Sequence, residues 1–182
     1  MIKYSRIWEM PSRDTFTVPA IGAFVKTYLR SSQISIDPFA RNCSWATFTN
    51  DINPNTTAEY HEQATVFLER LVTDGVKADL FLFDPPYSPR QILECYKEIG
   101  LTATMQDTQN ASLNKKCRKL FRELASPDAV VLSFGWSTNG MGPGWKVEEI
   151  MLVCHGGDHN DTICMAERLA ENQKSLFDME SK

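Results

Sequence analysis

No C-x-x-C pair occurs among the five cysteines of the 182-residue chain, and their odd number leaves one without a mate. That argues against both a zinc ribbon and a disulfide framework, so Cys43, Cys95, Cys117, Cys154 and Cys164 read as reduced, mostly buried thiols. No apolar stretch approaches the roughly eighteen residues of a membrane span, and Met1 to Arg6 carries no signal-peptide core. The expectation is a cytoplasmic protein without a membrane partner. Basic charge is also scarce: 19 Lys and Arg stand against 23 Asp and Glu, for a net charge of −4. That balance disfavours tight autonomous binding to a phosphate backbone. Internal repeats, coiled-coil heptads and a phosphate-binding glycine loop are all absent. His155-Gly156-Gly157-Asp158-His159-Asn160 groups two of the three histidines, but a polar hairpin loop explains it without a ligand, and no metal is expected.

What is present suits one domain: 42% hydrophobic and 23% charged residues in a chain of ordinary domain length. We take residues 1 to 169 as that domain and the polar stretch from 170 to 182 as a tail. Ile7 to Phe16 reads as a loop-like lead-in, and Ile21, Phe24, Val25, Tyr28 and Leu29 follow at helical spacing. Two short strands come next, 34–40 and 46–51. Tyr60, Ala64, Phe67, Leu68, Leu71 and Val72 predict an amphipathic helix over 57–73, ended by Asp74-Gly75. After the strand at 80–83, Ser88-Pro89-Arg90 opens a helix that stops at Gly100. Residues 101 to 112 carry no helical stripe and read as a loop, either connecting or covering a ligand. A helix over 113–124, a strand over 129–134 and an antiparallel hairpin, 146–154 with 161–167, complete the pattern. Strand, turn, strand, helix, strand predicts an α/β fold with a mostly parallel, Rossmann-like sheet and a C-terminal antiparallel hairpin.

The centre of the chain is Leu80-Phe81-Leu82-Phe83-Asp84-Pro85-Pro86-Tyr87. Its apolar half has the length and composition of a strand buried on both faces, and two prolines forbid its continuation. Asp84 therefore sits at a strand's carboxyl end, the edge where open α/β sheets bind ligands. Proline has no N–H and pushes the preceding residue to extended geometry, so Asp84-Pro85-Pro86 is a stiff segment offering acceptors and no donors. Such a group suits a planar amine on an aromatic ring, whose nitrogen lone pair is delocalised. The Asp84 carboxylate and the Pro85 carbonyl could each take one N–H and free that lone pair, while Tyr87 stacks on the ring. Ile34-Ser35-Ile36-Asp37-Pro38-Phe39 repeats the logic of an apolar strand ended by Asp-Pro and an aromatic. Asp51, at the tip of the following strand, is placed to take two ribose hydroxyls or to cap a helix, a task Thr56 can perform instead.

Asp-Pro-Pro-Tyr at 84–87 resembles the signature of amino-methyltransferases that use S-adenosylmethionine, above all the adenine-N6 DNA methyltransferases. With Asp-Pro-Phe at 37–39, Asn-Asp-Ile-Asn-Pro at 50–54, Ser88 after the tyrosine and His-Gly-Gly at 155–157, the chain is similar to small phage or prophage adenine methyltransferases over residues 8 to 167. The resemblance implies a single-domain methyltransferase sheet. It assigns catalysis to Asp84, Pro85, Pro86 and Tyr87, and cofactor binding to Asp37, Pro38, Phe39, Asp51, Asn53, Thr15 and Phe16. Ser88, Trp136, Ser137 and Asn139 are implied as the lining of a base pocket, Trp136 alternatively as a core aromatic.

One departure stands out. Where the family's first cofactor motif continues with glycines, this chain has Ala40-Arg41-Asn42-Cys43-Ser44-Trp45, and bulky Arg41 and Trp45 take left-handed geometry only at a cost. The implied partner is DNA carrying a flipped or single-stranded adenine, in a bacterial cell and from a phage or prophage. Sequence preference would come from short loops, a homodimer or a separate specificity partner, since no recognition domain has room. The rivals are an RNA guanine-N2 methyltransferase and a non-catalytic cofactor-binding subunit. Lys115-Lys116-Arg118-Lys119-Arg122 reads first as a solvated helix face and second as a surface for substrate.

Overall fold

The computed structural model describes residues 1–100 and 110–170. Seven strands form one sheet: β1 (Lys3–Trp8), β2 (Ser35–Asp37), β3 (Phe48–Thr49), β4 (Ala78–Phe83), β5 (Ala125–Gly135), β6 (Trp145–Cys154) and β7 (Thr162–Leu169). Among the described residues four α-helices accompany them: α1 (Pro19–Leu29), α2 (Ala64–Thr73), α3 (Pro89–Glu98) and α4 (Asn110–Leu124). The strand order is β1-β6-β7-β5-β4-β2-β3. The pairs β1 with β6, β2 with β3, β2 with β4 and β4 with β5 are parallel, and β7 runs antiparallel to both β5 and β6. The expected mostly parallel sheet and its antiparallel C-terminal pair are both present.

β4 shows why the sheet is a middle layer. Its side chains alternate: Leu80 and Leu82 pack with Ile21, Val25 and Phe134 on the α1 side, while Phe81 and Phe83 pack with Phe67, Leu68 and Phe121 on the side of α2 and α4. Phe81, Phe67 and Phe121 are completely buried, so burying this strand on both faces contributes several kcal/mol by area alone. Three cysteines, Cys117, Cys154 and Cys164, are buried, and all five are free thiols.

Several boundaries differ from the sequence reading. The lead-in is not all loop, because Lys3–Trp8 forms β1 on the outer edge of β6. That strand escapes a periodicity search because nearly all of it is exposed and it has no apolar face. It also means that β1, and not the β6–β7 hairpin, closes this end of the sheet. α2 starts at Ala64 instead of 57. The reason is Asn50, whose amide donates to the Pro38 and Glu62 carbonyls and accepts from Glu62 N–H at 3.0–3.1 Å. With Tyr60 N–H bonded to the Thr49 carbonyl, this brace holds residues 59–62 beside β3 and forbids helical pairing there. α4 begins at Asn110, so part of the expected 101–112 loop is helical, and the rest of that loop lies outside the described residues. β5 starts at Ala125 instead of 129, directly after α4, and takes in Ser126-Pro127-Asp128 as an irregularity at its start, with Asp128 at φ 61°. The tail lies outside the described residues apart from Ala170. Among the described residues, no helix is long and apolar enough to cross a membrane.

Candidate functional site

β4 delivers Asp84 to its carboxyl end. A carboxylate in such a turn is usually capped by the backbone N–H two residues on, but here that residue is Pro86, which has none. Asp84 Oδ1 instead accepts a short hydrogen bond from the Tyr87 hydroxyl. Burial pushes the Asp84 carboxyl above the usual range, opposed by hydroxyl contacts from Thr15 and Tyr87 and by the charge of Arg41. Burial and the adjoining carboxylate in turn hold the Tyr87 phenol well above its ordinary value. Tyr87 is further fixed by its backbone N–H on Gln91 Oε1 at 2.6 Å, and its ring meets Trp136 edge to face at 5.3 Å. Ser88 caps α3 by accepting from Gln91 N–H.

The end of β2 repeats the motif with a different outcome. Asp37 is fully buried, and its Oδ1 accepts from Phe39 N–H at 3.0 Å. Its Oδ2 has no hydrogen-bond partner. Burial, with Asp84 and Asp51 nearby, holds its carboxyl well above the ordinary carboxylate range. Asp37 therefore braces the turn that presents Pro38 and Phe39. The turn continues with Cys43 N–H donating to the Ala40 carbonyl at 2.8 Å and with Arg41 at φ 50°. Arg41 takes the left-handed geometry that the sequence gives to glycine elsewhere. Its N–H donates to Asp51 Oδ2 at 3.2 Å, and Asn53 N–H donates to Asp51 Oδ1 at 2.8 Å. Burial raises Asp51 despite these two donors. Neither oxygen of Asp51 is thereby exhausted, because each keeps a second lone pair.

These strand ends surround a cavity of about 660 Å³, lined by Thr15, Pro38, Phe39, Arg41, Asp51, Ile52, Asn53, Asp84, Pro85, Pro86 and Tyr87 together with residues of α3 and Ser112, Leu113 and Lys116 of α4. A smaller cavity of about 250 Å³ adjoins it, sharing Thr15, Phe39, Arg41 and Asp84 and adding Asp14, Phe16, Asn42, Cys43 and Trp45. Of the residues singled out from the sequence, Asp84, Pro85, Pro86, Tyr87, Pro38, Phe39, Asp51, Asn53 and Thr15 meet around the larger space. Phe16 faces only the smaller one. Asp37 lies beneath the turn, outside both. Ser88, Trp136, Ser137 and Asn139 line neither cavity: Ser88 is spent on its helix cap, Trp136 lies against Tyr87, and Ser137 and Asn139 are exposed.

Sequence reasoning gave three contributors no catalytic or cofactor role. Asn50 holds the loop that carries Asp51, Gln91 anchors Tyr87, and Arg41 reaches both cavities. Asn50 stands in the Asn-Asp-Ile-Asn-Pro stretch and Arg41 where glycine was expected, whereas Gln91 left no signal. His155 is buried and structural, with Nδ1 2.7 Å from the Glu9 carbonyl and Nε2 2.9 Å from the Thr162 hydroxyl.

No protein-family model and no curated protein matches the chain. Solved structures do. One is a candidate methyltransferase complexed with SAH, 10% identical with a TM-score of 0.57, matched over 80% of this chain and 48% of that one. A second is the candidate methyltransferase yhhF from Escherichia coli, 11% identical with a TM-score of 0.50, over 90% and 92% of the two chains. A third is TrmN from Thermus thermophilus, 11% identical with a TM-score of 0.50, over 84% and 49%. This chain therefore spans about half the length of the first and third. At such identities the likeness concerns the fold alone: the sheet is Rossmann-like, as in these structures, with Asp84 and Asp51 at its carboxyl edge beside the larger cavity.

Proposed function

We propose that the protein transfers a methyl group from S-adenosylmethionine to the exocyclic N6 amine of adenine in DNA, with the base flipped out or single-stranded. The observation that carries this reading is the convergence of the donor-free Asp84-Pro85-Pro86-Tyr87 segment and the Asp51 carboxylate on one cavity at the carboxyl edge of the sheet. The residues present fit the cofactor. About 660 Å³ is ordinary for a ligand of that size, Pro38, Phe39 and Ile52 offer apolar walls for a purine, and Asp51 keeps acceptor capacity for two ribose hydroxyls. When bound, the cofactor supplies a methyl group already activated by a positive sulfur.

The chain's own task is then to orient and polarise the amine. Asp84 accepts one amine N–H, at the oxygen now taken by the Tyr87 hydroxyl or at its partner oxygen, and the Pro85 carbonyl accepts the other. Tyr87 leaves its bond to Asp84 to lie on the base, where stacking is worth about 1–3 kcal/mol. No side-chain nucleophile is required, and Cys43 and Cys95, which line the two cavities, have thiols pushed up by burial and poorly suited to attack.

α4 supplies a basic surface on a chain of net charge −4: five basic residues against one acid, with Lys116 at the cavity wall. Its apolar side, Cys117, Leu120, Phe121 and Leu124, is packed in the core, so Lys115 and Lys119 project outward. Part of that charge is matched internally, by Lys116 on Glu69 at 2.8 Å and Lys119 near Glu123 at 3.8 Å. Target preference is left to short loops, a second copy or a separate partner, and light scattering with and without DNA tests the second copy.

The deciding experiment incubates the protein and labelled S-adenosylmethionine with DNA and with RNA, then digests the products to nucleosides. N6-methyladenine from DNA is the expected product. N2-methylguanine from RNA would replace this reading with its closest rival, and cofactor binding without transfer to either would make the chain a cofactor-binding subunit.

A further inference from the structure

Arg41 occupies a position where an arginine is costly. It sits second in a turn closed by Cys43 N–H on the Ala40 carbonyl, at φ 50°, a left-handed conformation that strains an L-residue with a side chain and costs glycine almost nothing. Its backbone N–H donates to Asp51, a bond that glycine would make equally well. The side chain must therefore be the reason for the residue.

That side chain lies on the walls of both cavities. Its Nε stands 2.9 Å from Asp14 Oδ1, yet the N–H is not aimed at that oxygen, which is buried and accepts no hydrogen bond. The two groups thus form a loose ion pair on the wall of the smaller cavity, with binding capacity left on both. Arg41 has guanidinium N–H groups beyond the Nε of this pair, and the Asp14 side chain, nearly half exposed, keeps its second oxygen accessible.

The order of landmarks says what reaches this pair. Asp51 lines the larger cavity only, Asp84 lines both, and Asp14 lines the smaller only. In the proposed cofactor the sulfur lies between the ribose and the amino-acid end. With the ribose at Asp51 and the reacting methyl beside Asp84, the amino-acid end is carried past Asp84 into the smaller cavity. That end is a zwitterion, one carboxylate and one ammonium on a single carbon. A guanidinium and a carboxylate side by side are complementary to it.

We propose that Arg41 and Asp14 together form a clamp for the α-amino-acid end of the cofactor, Arg41 taking the carboxylate and Asp14 the ammonium. Arg41 is thus a binding residue held in a glycine's conformation. The inference rests on the S-adenosylmethionine reading above.

Calorimetry tests it, using S-adenosylmethionine and its decarboxylated analogue with the wild type, Arg41→Gly and Asp14→Asn, alongside thermal unfolding without ligand. The wild type is expected to prefer S-adenosylmethionine over the analogue by about tenfold to hundredfold, the usual effect of one charge-assisted contact. Arg41→Gly should lose most of that preference by weakening only the carboxylate-bearing ligand, and should unfold at the same or a higher temperature once the strain is gone. Asp14→Asn should weaken both ligands, which share the ammonium. An Arg41→Gly variant that keeps the preference, or that unfolds several degrees lower, overturns the clamp and makes Arg41 a structural residue. Wild type that binds neither ligand sinks the cofactor reading itself, a distinct failure.

Discussion

Two strand ends in this molecule are built from nearly the same words and perform opposite tasks. β2 ends in Asp37-Pro38-Phe39 and β4 in Asp84-Pro85-Pro86, yet Asp37 is sealed beneath the sheet edge while Asp84 faces both cavities. The difference is one backbone hydrogen. Phe39 has an N–H and spends it on Asp37 Oδ1, folding the acid into its own turn. Pro86 has none, so Asp84 must find donors elsewhere and takes the Tyr87 hydroxyl. An acid that cannot satisfy itself locally is available to a ligand. In the proposed function this is the second proline's part: it keeps the Asp84 carboxylate from being satisfied by its own turn.

Removing the outward-facing acid should have the largest effect. Asp84→Ala is expected to lower methyl transfer by a hundredfold or more, as loss of one preorganised polar group does elsewhere, while affinity for S-adenosylmethionine stays within about twofold. Single-turnover rates with titration calorimetry separate the two quantities, and full activity in this variant would end the assignment. Asp51→Ala should give the converse. Two ribose hydroxyls lose a charged acceptor, so cofactor affinity drops by roughly 1.5–3 kcal/mol, about tenfold to hundredfold. Equal affinity would remove Asp51 from the site.

Converting one turn into the other probes the comparison itself. Pro86→Ala restores an N–H two residues after Asp84, so the acid can cap its own turn as Asp37 does. The expected result is a rate lower by on the order of tenfold, with the acid limb of the pH–rate profile moved to lower pH, because a donor to the charged form depresses a carboxyl pKa. An unchanged rate and profile would show that the second proline matters only for stiffness.

Much of this was legible in the sequence, and the failures have physical reasons. β4 was readable because the four residues Leu80 to Phe83, buried on both faces, leave an unbroken apolar run, and the aspartates announced the sheet edge because prolines stop strands. α2 was placed seven residues too early because Tyr60 falls on the helical stripe by spacing, while Asn50 holds the preceding backbone in a bridge that no periodicity encodes. β1 was invisible, being an exposed edge strand with no apolar face. At the site, residue type located Asp84, Asp51, Pro38 and Phe39. Ser137 and Asn139 were placed by analogy of position alone, and they point to solvent. Asp37 and Asp84 could not be told apart by their flanking strands, only by the residue two places on.

The smallest expected effect concerns the inward-facing acid, and it is read in stability. Asp37 is fully buried with one oxygen unpartnered, and burial together with Asp84 and Asp51 holds its carboxyl well above the ordinary range. A carboxyl raised in the folded state favours folding while it is protonated. That contribution is complete below the unfolded value of about 4 and is lost as pH rises through the folded value. Asp37→Asn keeps the acceptor for Phe39 N–H and removes the ionisation. Thermal unfolding across pH 4 to 8 should therefore show the variant equal to or slightly below the wild type at the acid end, where its amide lacks a partner. The variant should gain as pH rises, each unit of raised pKa being worth about 1.4 kcal/mol and each kcal/mol about 2–4 °C in a chain of this size. If the variant loses stability equally at every pH in that range, Asp37 is ionised in the fold, and the contrast between the two strand ends does not lie in their charge.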